Sequence, residues 1–242
     1  MAYTSVFKRY EFKYMLTREQ YESMLEAMRG RMELDRYGRK TVRNIYFDTG
    51  NYRLIRRSIE KPVYKEKLRV RCYGRADGES TVFVELKKKY ESVVYKRRVA
   101  MSEEDAMRWL CEGKLSVPET QITREIDYFM SYYEKPAPAV FLSYEREAYY
   151  ALDGSDLRIT FDENVLFRTD ALSLQKDVWG TPLLEDGMIL MEIKTSRGFP
   201  MWLTSVLSGG RIYKTPFSKY GTAYQKYILP GLKEKRTYVG IV

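Results

Sequence analysis

Lys65, Lys67, Arg69 and Arg71 occupy every second position of the segment Lys65-Glu66-Lys67-Leu68-Arg69-Val70-Arg71. Alternate side chains of a β-strand share a face, so this spacing gathers the cations on one side and leaves Leu68 and Val70 for the other. The alternation recurs at Glu85, Lys87 and Lys89 opposite Val84 and Leu86, at Lys96 and Arg98 opposite Tyr95 and Arg97, and at Glu192 and Lys194 opposite Met191 and Ile193. Like charges facing each other across neighbouring strands repel. Cations repeated on successive strands therefore imply a polyanion between them, with Arg offering a planar fork to two phosphate oxygens and Lys a compact point charge. The competing reading is a sheet with one face in water, where a basic protein places Lys and Arg anyway. Glu192, two residues before Lys194, suits either a Mg2+ or Mn2+ ion shared with phosphate oxygens or an ion pair with an arginine, and a metal would also explain Glu85 among the cations.

Composition narrows the chemistry. The 242 residues include no histidine, which removes Ser-His-Asp and Cys-His hydrolase schemes and the usual zinc sites. Any catalysis then falls to carboxylates, oxygen-bound hard metals and fixed cations. Lys and Arg number 42 against 33 Asp and Glu, a formal charge of +9 that argues for an anionic partner. Neither GxxxxGK[ST] nor GxGxxG occurs, so a P-loop or Rossmann phosphate cradle is disfavoured. Cys72 lies on the strand face opposite Arg71 and reads as a small buried hydrophobe, and with Cys111 far away a disulfide framework is not expected. Met1 to Tyr10 lacks an apolar signal segment and no run approaches the roughly 18 apolar residues of a membrane span, so the expected location is cytoplasmic, with any contact at the inner membrane face peripheral. The 22 tyrosines are scattered at core-like positions and read as packing, not as a platform for bases.

A sheet has to present these charges. Strands are expected at Val6 to Met15, Lys40 to Phe47, Val63 to Tyr73, Thr81 to Lys88, Val93 to Ala100, Ala139 to Tyr149, Asp156 to Asn164 and Met188 to Thr195. Arg9, Glu11 and Lys13 share one face of the first, and Arg146 and Arg158 are further candidates with a surface salt bridge as the alternative. Thr17 with Gln20 forms a capping box for a helix through about Arg29, and Ser102 with Glu103, Glu104 and Asp105 starts another that stops at Gly113. Further helices are expected at about Gln121 to Tyr133, Pro200 to Leu207 and Lys219 to Leu229. Turns are expected at Asp48-Thr49-Gly50 and Ala76-Asp77-Gly78. The expected architecture is one α+β domain: an antiparallel β-barrel with a polar lumen, flanked by helices.

Several of these segments together resemble the VTC domain, the polyphosphate polymerase domain of the vacuolar transporter chaperone complex and a branch of the triphosphate tunnel metalloenzymes. They are Tyr46-Phe47-Asp48, Lys67-Leu68-Arg69-Val70-Arg71-Cys72-Tyr73-Gly74, Phe83-Val84-Glu85-Leu86-Lys87, Tyr144-Glu145-Arg146, Leu157-Arg158-Ile159-Thr160-Phe161-Asp162 and Phe217-Ser218-Lys219-Tyr220. The likeness runs from about Phe7 to Leu229 and is to a stand-alone bacterial-type member. It implies a barrel tunnel in which ATP binds with Mn2+ or Mg2+, its terminal phosphoryl passes to a growing polyphosphate, and the product leaves along the tunnel. It implies phosphate contacts from Lys13, Arg69, Arg71, Lys87, Lys96 and Arg146, a metal carboxylate at Glu192 and a C-terminal lysine at Lys219. Lys67, Arg98, Arg158 and Lys194 join that lining by parity, and Glu85 and Glu11 are the further metal candidates. The chain departs from the pattern at Ser58, where Arg56 or Arg57 could shift in, and at Pro216, for which Lys214 is the substitute. A membrane-protein partner that receives the product is compatible with the likeness. The rivals are a tripolyphosphatase or nucleoside triphosphatase, a non-catalytic module binding polyphosphate or nucleotide, and a nucleic-acid binder. The last is disfavoured because the cations alternate along strands instead of forming an exposed basic arm.

Overall fold

The computed structural model describes residues 10–91 and 93–233; the first residues of the expected opening strand, Arg9 among them, lie outside that range. The strands are β1 (Tyr10–Leu16), β2 (Met32–Leu34), β3 (Lys40–Asp48), β4 (Tyr64–Tyr73), β5 (Thr81–Tyr90), β6 (Val93–Ser102), β7 (Ala137–Ala151), β8 (Arg158–Arg168), β9 (Thr181–Pro182) and β10 (Ile189–Thr195). Between them run α1 (Arg18–Met28), α2 (Arg53–Ile59), α3 (Glu103–Glu112), α4 (Gln121–Tyr132), α5 (Met201–Gly209) and α6 (Lys219–Ala223), the last continuing as a π-turn over Tyr224–Ile228. All the pairings are antiparallel, in the order β1-β10-β8-β7-β3-β4-β5-β6, with β2 beside β7 and β9 beside β8.

Strand parity decides which face is apolar. Leu68, Val70, Val84 and Leu86 are fully buried under α3 and α4, where Trp109, Ile126 and Phe129 join the same cluster. Each such side chain contributes roughly 1.5–3 kcal/mol by leaving water, which fixes the alternate positions on the inner face. On the other flank Ile159, Phe161, Met191 and Ile193 pack with Met24 and Met28 of α1 and Leu203 of α5. A third cluster plugs part of the inner face itself, where α2, α6 and the π-turn bring Ile55, Tyr220 and Tyr224 against Leu142, Tyr144 and Phe167.

The expected closed barrel is instead a curled, open sheet. Among the described residues β1 and β6 do not pair, because the free edge of β1 is already used: Thr215 N–H donates to the Lys13 carbonyl at 2.7 Å and Tyr14 bridges Lys214. A covered edge offers no ladder to a further strand. Side chains span the gap, with Lys87 Nζ of β5 at 3.6 Å from Glu11 Oε2 of β1.

The sequence reading of α1, α3 and α4 agrees with the structure, including the Thr17–Gln20 capping box and the left-handed Gly113 at φ 75°. It lacked the short strands β2 and β9 and helix α2. Its N-cap, Tyr52, has φ 58° and supplies no side-chain cap. The cap comes from Asp48 at the end of β3, whose carboxylate accepts from Thr49 N–H at 2.8 Å, Leu54 N–H at 2.9 Å, Ile55 N–H at 3.0 Å and the Tyr220 hydroxyl at 2.9 Å. Asp48→Ala leaves these buried donors unpaired at once and is expected to cost about 2 kcal/mol, a melting temperature lower by roughly 4–8 °C. A thermal melt within about 1 °C of the parent would contradict that role.

Candidate functional site

Two carboxylates organise the centre of the inner face. Asp162 of β8 is fully buried, with Arg146 Nε and Nη2 at 2.5 and 2.6 Å from its two oxygens and Lys219 Nζ at 2.5 Å. Glu192 of β10 is surrounded more loosely: Lys194 at 3.3 Å, Lys13 at 3.4 Å, and Lys219 and Arg146 at 3.5 Å. Register explains the convergence, since Lys13 lies opposite Glu192 and Arg146 opposite Asp162. Lys219 is delivered from outside the sheet by the first turn of α6. Burial alone would raise both carboxyl pKa values, but Arg146 and Lys219 beside Asp162, and Lys219, Lys194, Lys13 and Arg146 beside Glu192, hold them below the usual range. Burial lowers the Lys194 pKa, whereas Asp162 and Glu192 outweigh it at Lys219 and raise that one.

A second centre forms on β4 to β6 around Glu85, which is almost fully buried. Arg69 approaches Oε2 with Nε at 2.8 Å and Nη2 at 2.7 Å, while Lys96 Nζ at 2.7 Å and the Arg98 guanidinium take Oε1. Arg69 also donates to the Tyr46 hydroxyl at 2.8 Å. Arg71 donates to Asn44 Oδ1 at 2.8 Å and the Tyr144 hydroxyl at 2.9 Å, which fixes its guanidinium between the two centres. Burial would raise the Tyr46 pKa, yet the field of Arg69, Arg71 and Lys67 brings it down to about 8. Burial pushes Lys67 and Lys96 down to about 8 as well.

The structure thus brings Lys13, Lys67, Arg69, Arg71, Lys87, Lys96, Arg98, Arg146, Lys194 and Lys219 to one face with Glu11, Glu85 and Glu192. Lys67 Nζ reaches Ser218 Oγ at 3.4 Å, and Lys13 Nζ reaches the Phe217 carbonyl at 3.0 Å. Two expected residues stand apart. Arg158 has inner-face parity but lies at the rim, ion-paired with Asp35 at 3.2 Å. Lys214 is exposed with Nζ 4.5 Å above the Phe12 ring, on the side of β1 opposite Lys13, so it does not fill the place left by Pro216. Ser58 is buried and its carbonyl accepts from Lys65 at 3.1 Å, while Arg56 and Arg57 on α2 are exposed. Asp162, Asn44, Tyr46 and Tyr144 did not figure among the candidates. Parity with Arg158 and with Arg146 was the signal that would have placed Asp162 and Tyr144 on this face.

Among the described residues Glu192 is the carboxylate that suits a divalent cation. Among the described residues no group of three or more metal-capable side chains gathers. Mg2+ commonly uses one or two carboxylates and completes its shell with phosphate oxygens and water. Glu192 fits that role, because none of its cations sits closer than 3.3 Å and its oxygens are hard donors; Glu11, sharing Lys13 with it, is the second available carboxylate. Glu85 does not fit, since Arg69, Lys96 and Arg98 already occupy both of its oxygens.

The arrangement has counterparts. The family model of the VTC domain matches residues 8–228. A solved structure from Bacillus halodurans assigned as an adenylate cyclase superposes with a TM-score of 0.55 at 14% identity, covering 91% of this chain and 99% of that one. A second, from Hippeastrum, assigned as an adenylyl cyclase with a dominant triphosphatase activity, superposes with a TM-score of 0.52 at 15% identity, covering 89% and 94%. At such identities these two establish a shared fold alone, and no curated protein matches by sequence. A family match over nearly the whole chain, on a curled sheet whose inner face carries paired carboxylates inside a shell of lysine and arginine, places this chain in the VTC domain family.

Proposed function

We propose that the protein is a metal-dependent polyphosphate polymerase that moves the terminal phosphoryl group of ATP onto a phosphate chain. The observation that carries this is the convergence of cations from β1, β4, β5, β6, β7, β10 and α6 on one face, where they outnumber the carboxylates. In that reaction a terminal oxygen of the acceptor chain attacks the γ-phosphorus, the bond from the β,γ-bridging oxygen to that phosphorus breaks, and ADP leaves with its electrons. The nucleophile is already anionic, so no protein base is required. Arg69, Arg71, Lys87, Lys96 and Arg146 hold and orient the phosphates and stabilise charge on the equatorial oxygens. A divalent ion shared between Glu192 and the phosphates would supply further neutralisation of the triphosphate.

Transfer to phosphate is favoured over transfer to water by the state of the acids. Glu11, Glu85, Asp162 and Glu192 all have lowered pKa values, Glu11 down to about 2. Carboxylates so stabilised are poor general bases for a water molecule. The test is to incubate the purified protein with ATP and Mn2+ and resolve the products. Long-chain polyphosphate that disappears on chelation supports the polymerase. Free phosphate alone would make the protein a hydrolase, and no turnover with ATP still raising the melting temperature would make it a binding module.

Lys67 and Lys96, both near 8, are cationic below that pH and lose charge above it. Affinity for tripolyphosphate is therefore expected to fall several-fold from pH 7 to pH 9, and binding near pH 8.5 to take up protons as the anion raises both pKa values. Calorimetry in two buffers of different ionisation enthalpy measures both effects. A flat affinity without proton uptake would count against the two lysines. Lys87 is half-exposed and, among the described residues, its carboxylate partner is Glu11 at 3.6 Å. Lys87→Ala is expected to lower turnover about tenfold or more with the melting temperature unchanged; the same turnover as the parent would remove it from the site.

A further inference from the structure

Charge on the inner face is offset unevenly. Around Glu85 and Asp162 the cations Arg69, Lys96, Arg98, Arg146 and Lys219 each meet a carboxylate oxygen, but the adjoining rungs of the β4–β5 ladder set lysine against lysine. Lys67 lies directly opposite Lys87, and Lys65 directly opposite Lys89. Lys96 extends the first of these rungs onto β6. Directly opposed like charges destabilise a sheet, and here two successive rungs on the same face carry them. Among the described residues Lys65 and Lys67 find uncharged partners, the Ser58 carbonyl at 3.1 Å and Ser218 Oγ at 3.4 Å. Among the described residues no carboxylate stands within ion-pair distance of Lys65, Lys67 or Lys89, and Lys87 has only Glu11. After burial, the charges of Lys89, Lys87 and Lys61 are what lower the Lys65 pKa.

We propose that the lysine pairs Lys67–Lys87 and Lys65–Lys89 form a lane for linear polyanions longer than a triphosphate, with the outer pair setting a preference for chain length. The inference rests on reading the inner face as a polyphosphate site. Lys65 and Arg69 are four residues apart on β4, about 13 Å along the strand, which exceeds the span of a triphosphate. A triphosphate on the Arg69–Arg146–Lys219 cluster therefore stops short of the outer rung, whereas a polyphosphate continues into it. The repulsion within each rung is relieved when successive phosphates lie between the ammonium groups.

The experiment compares tripolyphosphate with polyphosphate of about 50 units, each titrated calorimetrically into the full-length parent and a Lys65→Gln/Lys89→Gln double variant. Glutamine keeps the polar stem, and removing a like-charge pair should leave the melting temperature unchanged or raised. The expected result is long-chain affinity reduced roughly tenfold with a shallower dependence on salt, and tripolyphosphate affinity changed by less than about twofold. Equal losses for both ligands, or no loss for either, overturn the lane. A parent that binds tripolyphosphate but holds the long chain no more tightly overturns the lane while leaving the site reading intact. A parent that binds neither ligand overturns both.

Discussion

Glu192→Gln is expected to reduce turnover with ATP and a divalent ion by on the order of 100-fold or more, while leaving metal-free binding of tripolyphosphate intact or tighter. The split follows from geometry. Glu192 is the acid to which Lys13, Lys194, Lys219 and Arg146 all turn at 3.3–3.5 Å. Removing its charge takes away the best-placed oxygen donor for a metal, and at the same time loosens Lys13 and Lys194 to meet an anion directly, while Arg146 and Lys219 stay with Asp162. Turnover with Mn2+ and calorimetry in chelator measure the two halves. If the variant turns over at the parent rate, Glu192 is an ion-pair partner and the metal seat lies elsewhere; if metal-free binding falls in parallel with turnover, it acts by holding the fold.

The second large effect falls on stability. Asp162→Ala strips Arg146 and Lys219 of the carboxylate they hold at 2.5–2.6 Å, at a fully buried position of the sheet. Breaking a buried ion pair by removing one partner costs about 3–5 kcal/mol, so the melting temperature should fall by roughly 10 °C. Tripolyphosphate should then raise the melting temperature of the variant more than that of the parent, since the freed cations gain an anion. The pH dependence has a definite sign. The Asp162 pKa is lowered by folding, against burial, through Arg146 and Lys219, so its contribution is present above the unfolded value near 4 and is lost as pH falls through the folded value. The parent should therefore lose more stability on acidification than the variant. A variant melting within about 2 °C of the parent would show that Asp162 is not needed to hold these cations.

Much of this site was legible because a strand encodes it two residues at a time. Lys67, Arg69 and Arg71 needed only parity to be placed beside Lys87 and Lys96, and register then set Lys67 against Lys87 and Arg69 against Glu85. Helices α1 and α3 were legible for a similar reason, since Thr17 and Ser102 cap their own chain within three residues. Helix α2 was not, because its cap, Asp48, lies upstream on a strand and is held by Tyr220 from the other end of the chain. Arg158 shows the limit of parity, which gives a face but not a depth: it shares a side with Asp162 and ends at the rim with Asp35. Lys214 shows another, since the strap that covers β1 points its side chain across Phe12.

The sequence alone determined the class of fold, the family likeness, the basic face and the absence of any histidine chemistry, because each follows from composition or from neighbours along one strand. Tertiary structure decided the rest: that the sheet curls without closing, that Glu85 is saturated and Glu192 is not, and that Asp162 joins Arg146 to Lys219. These outcomes depend on contacts between residues far apart in the chain, such as Lys219 with Asp162, which are 57 positions apart. Charge balance at a buried point is a sum over everything folded around it, and no local spacing carries that sum.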